Sequence, residues 1–143
     1  MQFPPKFLSV LVLVGGTAAA QAHHSYAMFD LTRSEAIRGT LKAVEWGNPH
    51  VWIWVVRTDG HGTAASYGFE TISPGELIRF YGWKKSSLRI GDTLTLEYAP
   101  LRSGRDGGAL MRITLPDGQV LTTQLARIGR PPGAAIPSPG ISP

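Results

Sequence analysis

No cysteine occurs among the 143 residues. That absence removes disulfide staples, thiolate metal sites and a cysteine nucleophile together. Charge is sparse as well, at 17% Asp, Glu, Lys and Arg against 43% hydrophobic residues, which is far from the composition of a wholly disordered chain. Long apolar runs are missing too. The run Phe7 to Val14 (FLSVLVLV) falls well short of the ~20 residues that a membrane-spanning helix needs. The length leaves room for one small domain and excludes a large multidomain enzyme.

The chain opens with Lys6, that short apolar run, and then the small-residue stretch Gly15 to Ala22 (GGTAAAQA). Residues 1–22 therefore read as a secretory signal cleaved after Ala20 or Ala22, with no membrane anchor left behind. The expected location is periplasmic or secreted. Beyond residue 22, 13 Lys and Arg face 10 Asp and Glu, a balance too mild to call for nucleic acid, which that compartment also disfavours.

Residues 23–38 read as an N-terminal arm, 39–128 as the folded domain and 129–143 as a disordered tail. The tail carries five Pro and three Gly in 15 residues, and no packed element fits there. Within the domain, Gly39 to Trp46 and Val51 to Arg57 form a hairpin turned by Gly47-Asn48-Pro49-His50. The second strand, VWIWVVR, is apolar enough to be covered on both faces. A third strand over Ser66 to Ile72 follows the turn Asp59 to Gly62. Ser73-Pro74-Gly75-Glu76 then sets a capping box with proline at the first helical position, so a helix starts at Pro74 and ends at Gly82. Thr93 to Tyr98 alternates as a half-buried strand. Strands over Ala109 to Leu115 and Val120 to Gln124 close the series after the basic loop Leu101 to Gly108. This order points to an all-β domain with one short helix, a five-stranded Greek-key barrel like the OB-fold. An antiparallel sheet or sandwich with one helix explains the same pattern.

Four histidines carry the chemistry. Cleavage after Ala22 makes His23 the first residue, whose amine and imidazole chelate one metal ion and need a third nitrogen; His50 in the turn supplies it, and His24 is adjacent. Nitrogen ligands in a tetragonal plane favour Cu(II). Cleavage after Ala20 instead leaves Gln21-Ala22-His23, which wraps Cu(II) or Ni(II) without help from the fold. The bland account is a pair of solvated histidines at a frayed end. His61, between glycines, reads as simply exposed. Met28 is a candidate soft ligand and Asp30 a candidate partner for an imidazole; the plainer reading is that Tyr26, Met28 and Phe29 dock the arm on the barrel.

Trp46, Trp52, Trp54, Trp83, Tyr67 and Phe69 supply either core or a stacking platform for rings. If the barrel is of the OB type, the loops 47–50 and 101–108 flank its binding face and bring Arg102 and Arg105 near His50, for an anionic ligand. No nucleophile elbow, carboxylate pair or phosphate loop is present, so no catalytic residue is assigned. The two functional alternatives are Cu(II) capture by His23, His24 and His50, and a copper-free ligand-binding or interaction module using Trp52, Trp54, Arg102 and Arg105. The partner is then a metal ion or a small ligand, not nucleic acid.

The leader followed by His23-His24-Ser25-Tyr26-Ala27-Met28-Phe29-Asp30, then Gly39-Thr40-Leu41, Trp46-Gly47-Asn48-Pro49-His50-Val51-Trp52-Ile53, Gly82-Trp83, Gly91-Asp92 and Leu115-Pro116-Asp117-Gly118 resembles a family of small bacterial exported proteins, a domain of unknown function. The resemblance runs from His23 to about Val120. It implies a periplasmic barrel-like domain and brings no catalytic residues with it.

Overall fold

The computed structural model describes residues 26–126. The leader, His23, His24 and the proline-rich tail lie outside them. The described elements are a 3-10 turn over Tyr26–Met28, β1 (Glu35–Trp46), β2 (Val51–Thr58), β3 (Ala64–Glu70), α1 (Pro74–Tyr81), a second 3-10 turn over Lys85–Ser87, β4 (Thr93–Pro100), β5 (Gly107–Thr114) and β6 (Val120–Thr122). The sheet runs β3-β2-β1-β4-β5-β6, and a further β3–β5 pairing closes its first five strands into a barrel. The domain is thus a closed five-stranded β-barrel with one helix between β3 and β4, the order of an OB-like Greek key.

Closure rests on backbone proximity. The β3–β5 seam is parallel, with Gly68 opposite Gly107, Phe69 opposite Gly108 and Glu70 opposite Ala109. A Cβ at Gly107 would lie 2.1 Å from the Gly68 carbonyl oxygen, and one at Gly108 would lie 2.1 Å from that of Ala99. Only residues without a side chain let these strands come so close.

β2 follows a simple alternation. Val51, Ile53 and Val55 are fully buried, whereas Trp52, Trp54 and Val56 are only partly covered. The expectation of a strand covered on both faces is therefore corrected: its inner face lines the core, and its outer face carries two tryptophans. The core also takes in Phe69, Leu94, Leu96 and Ile113. Phe69 meets Tyr98 edge-on at 4.8 Å, an arrangement that the charge distribution of aromatic rings favours.

The helix stops one end of the barrel. Ser73 caps it in a capping box with Glu76, Pro74 opens it, and Gly82 ends it in the left-handed conformation at φ 69°. Its inward residue Leu77 joins the core, followed by Trp83 at 1% exposure. The indole Nε1 of Trp83 donates to the Thr122 carbonyl at 2.7 Å, so the segment after the helix is tied to β6.

Strand bounds differ from expectation where long-range pairing decides them. β1 begins four residues before Gly39, because Glu35 to Gly39 pair with Tyr98 to Leu94 of β4. β5 begins at Gly107, two residues before Ala109, because of the parallel seam with β3.

The arm is docked. Phe29, at 2% exposure, bridges to Leu101 and packs on Ala99, Ala109 and Met111 on the outside of the barrel, with Tyr26 and Leu31 against the same cluster. Met28 stands 48% exposed.

Candidate outer-face site on β2 and β3

The barrel register aligns one row of outward residues, Glu45, Trp52, Glu70 and Ala109, and a second row, Ala43, Trp54, Gly68 and Gly107. Outward positions on neighbouring strands lie side by side. Trp52 and Trp54 stack with centroids 5.8 Å apart and planes inclined by 18°. Gly68 makes room for this pair, since a Cβ there would come within 2.6 Å of the Trp54 ring. The indole Nε1 of Trp54 is covered and has no hydrogen-bond partner. Beside that ring lies an open groove of about 290 Å³ lined by Lys42, Ala43, Glu45 and Ser66.

His50 stands at the end of the same face. Its backbone enters β2, whose first residue is zipped to the end of β3: the Val51 N–H donates to the Ile72 carbonyl at 3.1 Å, and the Thr71 N–H donates to Val51 at 3.0 Å. That pairing brings the His50 imidazole over Glu70, and Nδ1 forms an ion-pair contact with the Glu70 carboxylate. The His50 side chain remains 26% exposed while that of Glu70 is 9% exposed. A buried carboxylate against one ring nitrogen fixes the orientation of the imidazole.

The arm reaches the same edge. Tyr26 packs on the cluster that contains Ala109, the strand partner of Glu70, and its hydroxyl accepts from the Gln124 side-chain amide. Burial raises the Tyr26 pKa, and the negative charge of Glu70 adds to that rise. Tyr26, Glu70, His50 and Trp52 thus form one continuous region.

The remaining candidates fall elsewhere. Arg105 lines a cavity of about 170 Å³ with Arg33, Glu35, Tyr67 and Tyr98, beside the start of β1, whereas His50 follows its end. Arg102 accompanies the arm: its N–H donates to the Met28 carbonyl at 2.9 Å, and its charge acts on Asp30. The structure does not bring Arg105 to His50. Asp30 is engaged by the hydroxyl and N–H of Thr32, which hold its carboxyl below the usual range, so its bonds are to Thr32 and not to an imidazole. His61 is exposed in its turn.

The aromatic ambiguity is resolved by position. Trp83 and Phe69 belong to the core, Trp46 and Tyr67 lean on it, and Trp52 and Trp54 face outward. Glu70 is the residue that sequence reasoning passed over. Its signal was the alternation Ser66, Gly68, Glu70 on one side of β3, but its pairing with His50 joins positions twenty apart and needs the hairpin register.

Among the described residues no three His, Cys, Asp or Glu side chains cluster in a way that would hold a metal ion, and no helix is long and apolar enough to cross a membrane. Neither a curated protein nor a solved structure matches the chain. A protein-family comparison matches residues 11–111, which takes in the Asn48-Pro49-His50 turn, the tryptophan strand and the glycine seam and stops before Leu115-Pro116-Asp117-Gly118. By that match the chain belongs to DUF6152, a family of unknown function.

Proposed function

We propose that the domain is a binding module for a ring-bearing polar ligand, a saccharide in the first instance, held on the outer face of β2 and β3. The observation that carries this reading is the outward stack of Trp52 and Trp54, kept in place by the absence of a side chain at Gly68. Two near-parallel indoles form an apolar strip that suits the C–H face of a sugar ring. The groove beside them offers Lys42, Glu45 and Ser66 to hydroxyl groups. A few polar groups around an aromatic floor is the usual build of a small-ligand site. The leader-like residues 1–22 support a location outside the cytoplasm, where glycans are abundant.

Titration with cellotetraose and chitotetraose, followed by tryptophan emission and by calorimetry, tests this. One stacked ring contributes on the order of 1–3 kcal/mol, so Trp52→Ala should weaken binding about tenfold or more. Gly68→Ala, which pushes the Trp54 ring aside, should weaken it too. Absence of saturable binding to both sugars, or binding indifferent to both substitutions, overturns the reading.

A further inference from the structure

We infer that the cavity beside the start of β1 is a second binding site, built for a small zwitterion, an α-amino acid in the first instance, with Arg105 on its carboxylate and Asp106 on its ammonium group. This cavity shares no lining residue with the groove beside Trp54, so the inference is independent of the saccharide reading.

The wall of the cavity is internally satisfied. Arg33 donates to one oxygen of Glu35 at 2.5 Å, and the Tyr98 hydroxyl donates to the other at 3.1 Å. Both Glu35 oxygens are thereby engaged, and the Tyr98 phenol is fixed at one end by Glu35 and along its ring by Phe69. Tyr67 lines the same space, half-buried against the core. Burial is the main cause that raises the Tyr98 pKa, Glu35 follows, and Tyr67 and Asp106 add to the rise. Those groups therefore face one another across the cavity.

The rim is different. Arg105 reaches Ser103 Oγ through Nε at 3.4 Å, and among the described residues no ion pair engages Arg105 or Asp106. Although consecutive, the two do not neutralise each other. The groups with unspent bonding capacity on this cavity are thus one guanidinium and one carboxylate. A simple anion satisfies the first and is repelled by the second, and a simple cation does the reverse. A zwitterion satisfies both. The guanidinium forks a carboxylate with two parallel N–H donors, while an ammonium group gains Asp106 and the faces of the tyrosine rings. Volume sets the size of the ligand: about 170 Å³ is below the roughly 300–1,000 Å³ of sites for drug-sized molecules, which selects a short side chain.

The loop holds these charges in place. At its start Leu101 bridges to Phe29, and the Arg102 N–H donates to the Met28 carbonyl at 2.9 Å. Gly104 closes a turn onto the Leu101 carbonyl at 3.1 Å with φ 73°, and Gly107 enters the parallel seam with φ 107°. Both glycines occupy backbone conformations that a side chain disfavours. Arg105 and Asp106 are carried between these fixed points, which lowers the ordering cost of binding.

Calorimetric titration of the whole protein with L-alanine, set against N-acetyl-L-alanine and L-alanine amide, tests the inference. L-alanine should bind at one site per chain, and each control, which lacks one of the two charges, should bind at least about tenfold more weakly. The amide resonances of Gly104 and Gly107 should shift in step with calorimetric saturation. Arg105→Met and Asp106→Asn should each weaken L-alanine binding about tenfold or more. Both side chains are exposed, so the melting temperature should stay at the wild-type value. Arg105→Lys keeps the charge but loses the fork and should fall between wild type and Arg105→Met. The inference is overturned if L-alanine shows no saturable binding, if either singly charged control binds as tightly, or if Arg105→Met and Asp106→Asn both leave the affinity unchanged. Trp52→Ala should weaken saccharide binding and leave L-alanine binding in place, so the two proposals fail separately.

Discussion

Tyr98 shows how much one side chain draws from its neighbours. It is 7% exposed, lies against Phe69, and donates its hydroxyl to Glu35 at 3.1 Å. Burial, with the Glu35 carboxylate facing the oxygen, raises its pKa from 10.0 to about 12. The folded state therefore holds the phenol proton more tightly than the unfolded chain does. Its contribution to stability is complete below pH 10 and is lost as the pH climbs towards about 12. Urea midpoints at pH 9, 11 and 12 should show wild type ahead of Tyr98→Phe at pH 9, with the gap closing as pH rises. A gap that stays constant would show that the hydroxyl is not the group responsible. The Tyr98 ring was legible in the sequence as an inward position of an alternating strand, Leu94, Leu96, Tyr98. Its acceptor Glu35 was not, because the two are joined only by the pairing of β1 with β4.

Helix α1 is the element most fully written in local sequence. Ser73, Pro74, Glu76 and Gly82 each satisfy a terminal backbone requirement within nine residues of one another, and each does so in the structure. The Glu76 N–H donates to Ser73 Oγ, and Ser73 Oγ donates to the Glu76 carboxylate at 2.6 Å. Ser73→Ala removes both and should cost about 1 kcal/mol, read as a lower urea midpoint with an unchanged slope. Because Leu77 and Trp83 stopper the barrel from this helix, the loss should appear in global unfolding. Strand β1 is the opposite case. Glu35-Ala36-Ile37-Arg38 has no strong strand signature, yet it is strand, because Ile37 is 4% exposed against Leu96 in the register. Burial supplied by Leu96, far along the chain from Ile37, outweighs weak local preference.

Across the whole barrel, a single buried arginine links elements that local signals leave unconnected. Arg112 of β5 has a side chain 8% exposed, pairs with Glu97 of β4 at 3.0 Å, and donates to the Ala126 carbonyl at 2.6 Å. Removing it leaves Glu97, whose side chain is 35% exposed, able to regain water, but Ala126 loses its donor. Arg112→Met keeps the apolar stem and should destabilise by about 1–3 kcal/mol. Limited proteolysis should then cut faster near residues 123–126. An unchanged cleavage rate would mean that Thr123, whose hydroxyl donates to the Leu110 carbonyl at 2.6 Å, secures that segment alone.

The sequence by itself determined what depends on near neighbours and on composition: an all-β domain of single-barrel size, one capped helix, the hairpin turn at His50, and the existence of strand β2. It also singled out Trp52, Trp54 and His50 as candidates, since large aromatics and imidazoles are few. Only the tertiary structure decided which tryptophans face outward and which are core. Burial of an outward strand residue depends on what the adjacent strand carries, and Gly68 is brought beneath Trp54 by register, not by proximity in the chain. The same reason hid Glu70 behind His50, separated Arg105 from it, and placed Tyr26 at their edge. Those relations are set by the β2–β3 register and the parallel β3–β5 seam, contacts between separated segments that no local pattern specifies.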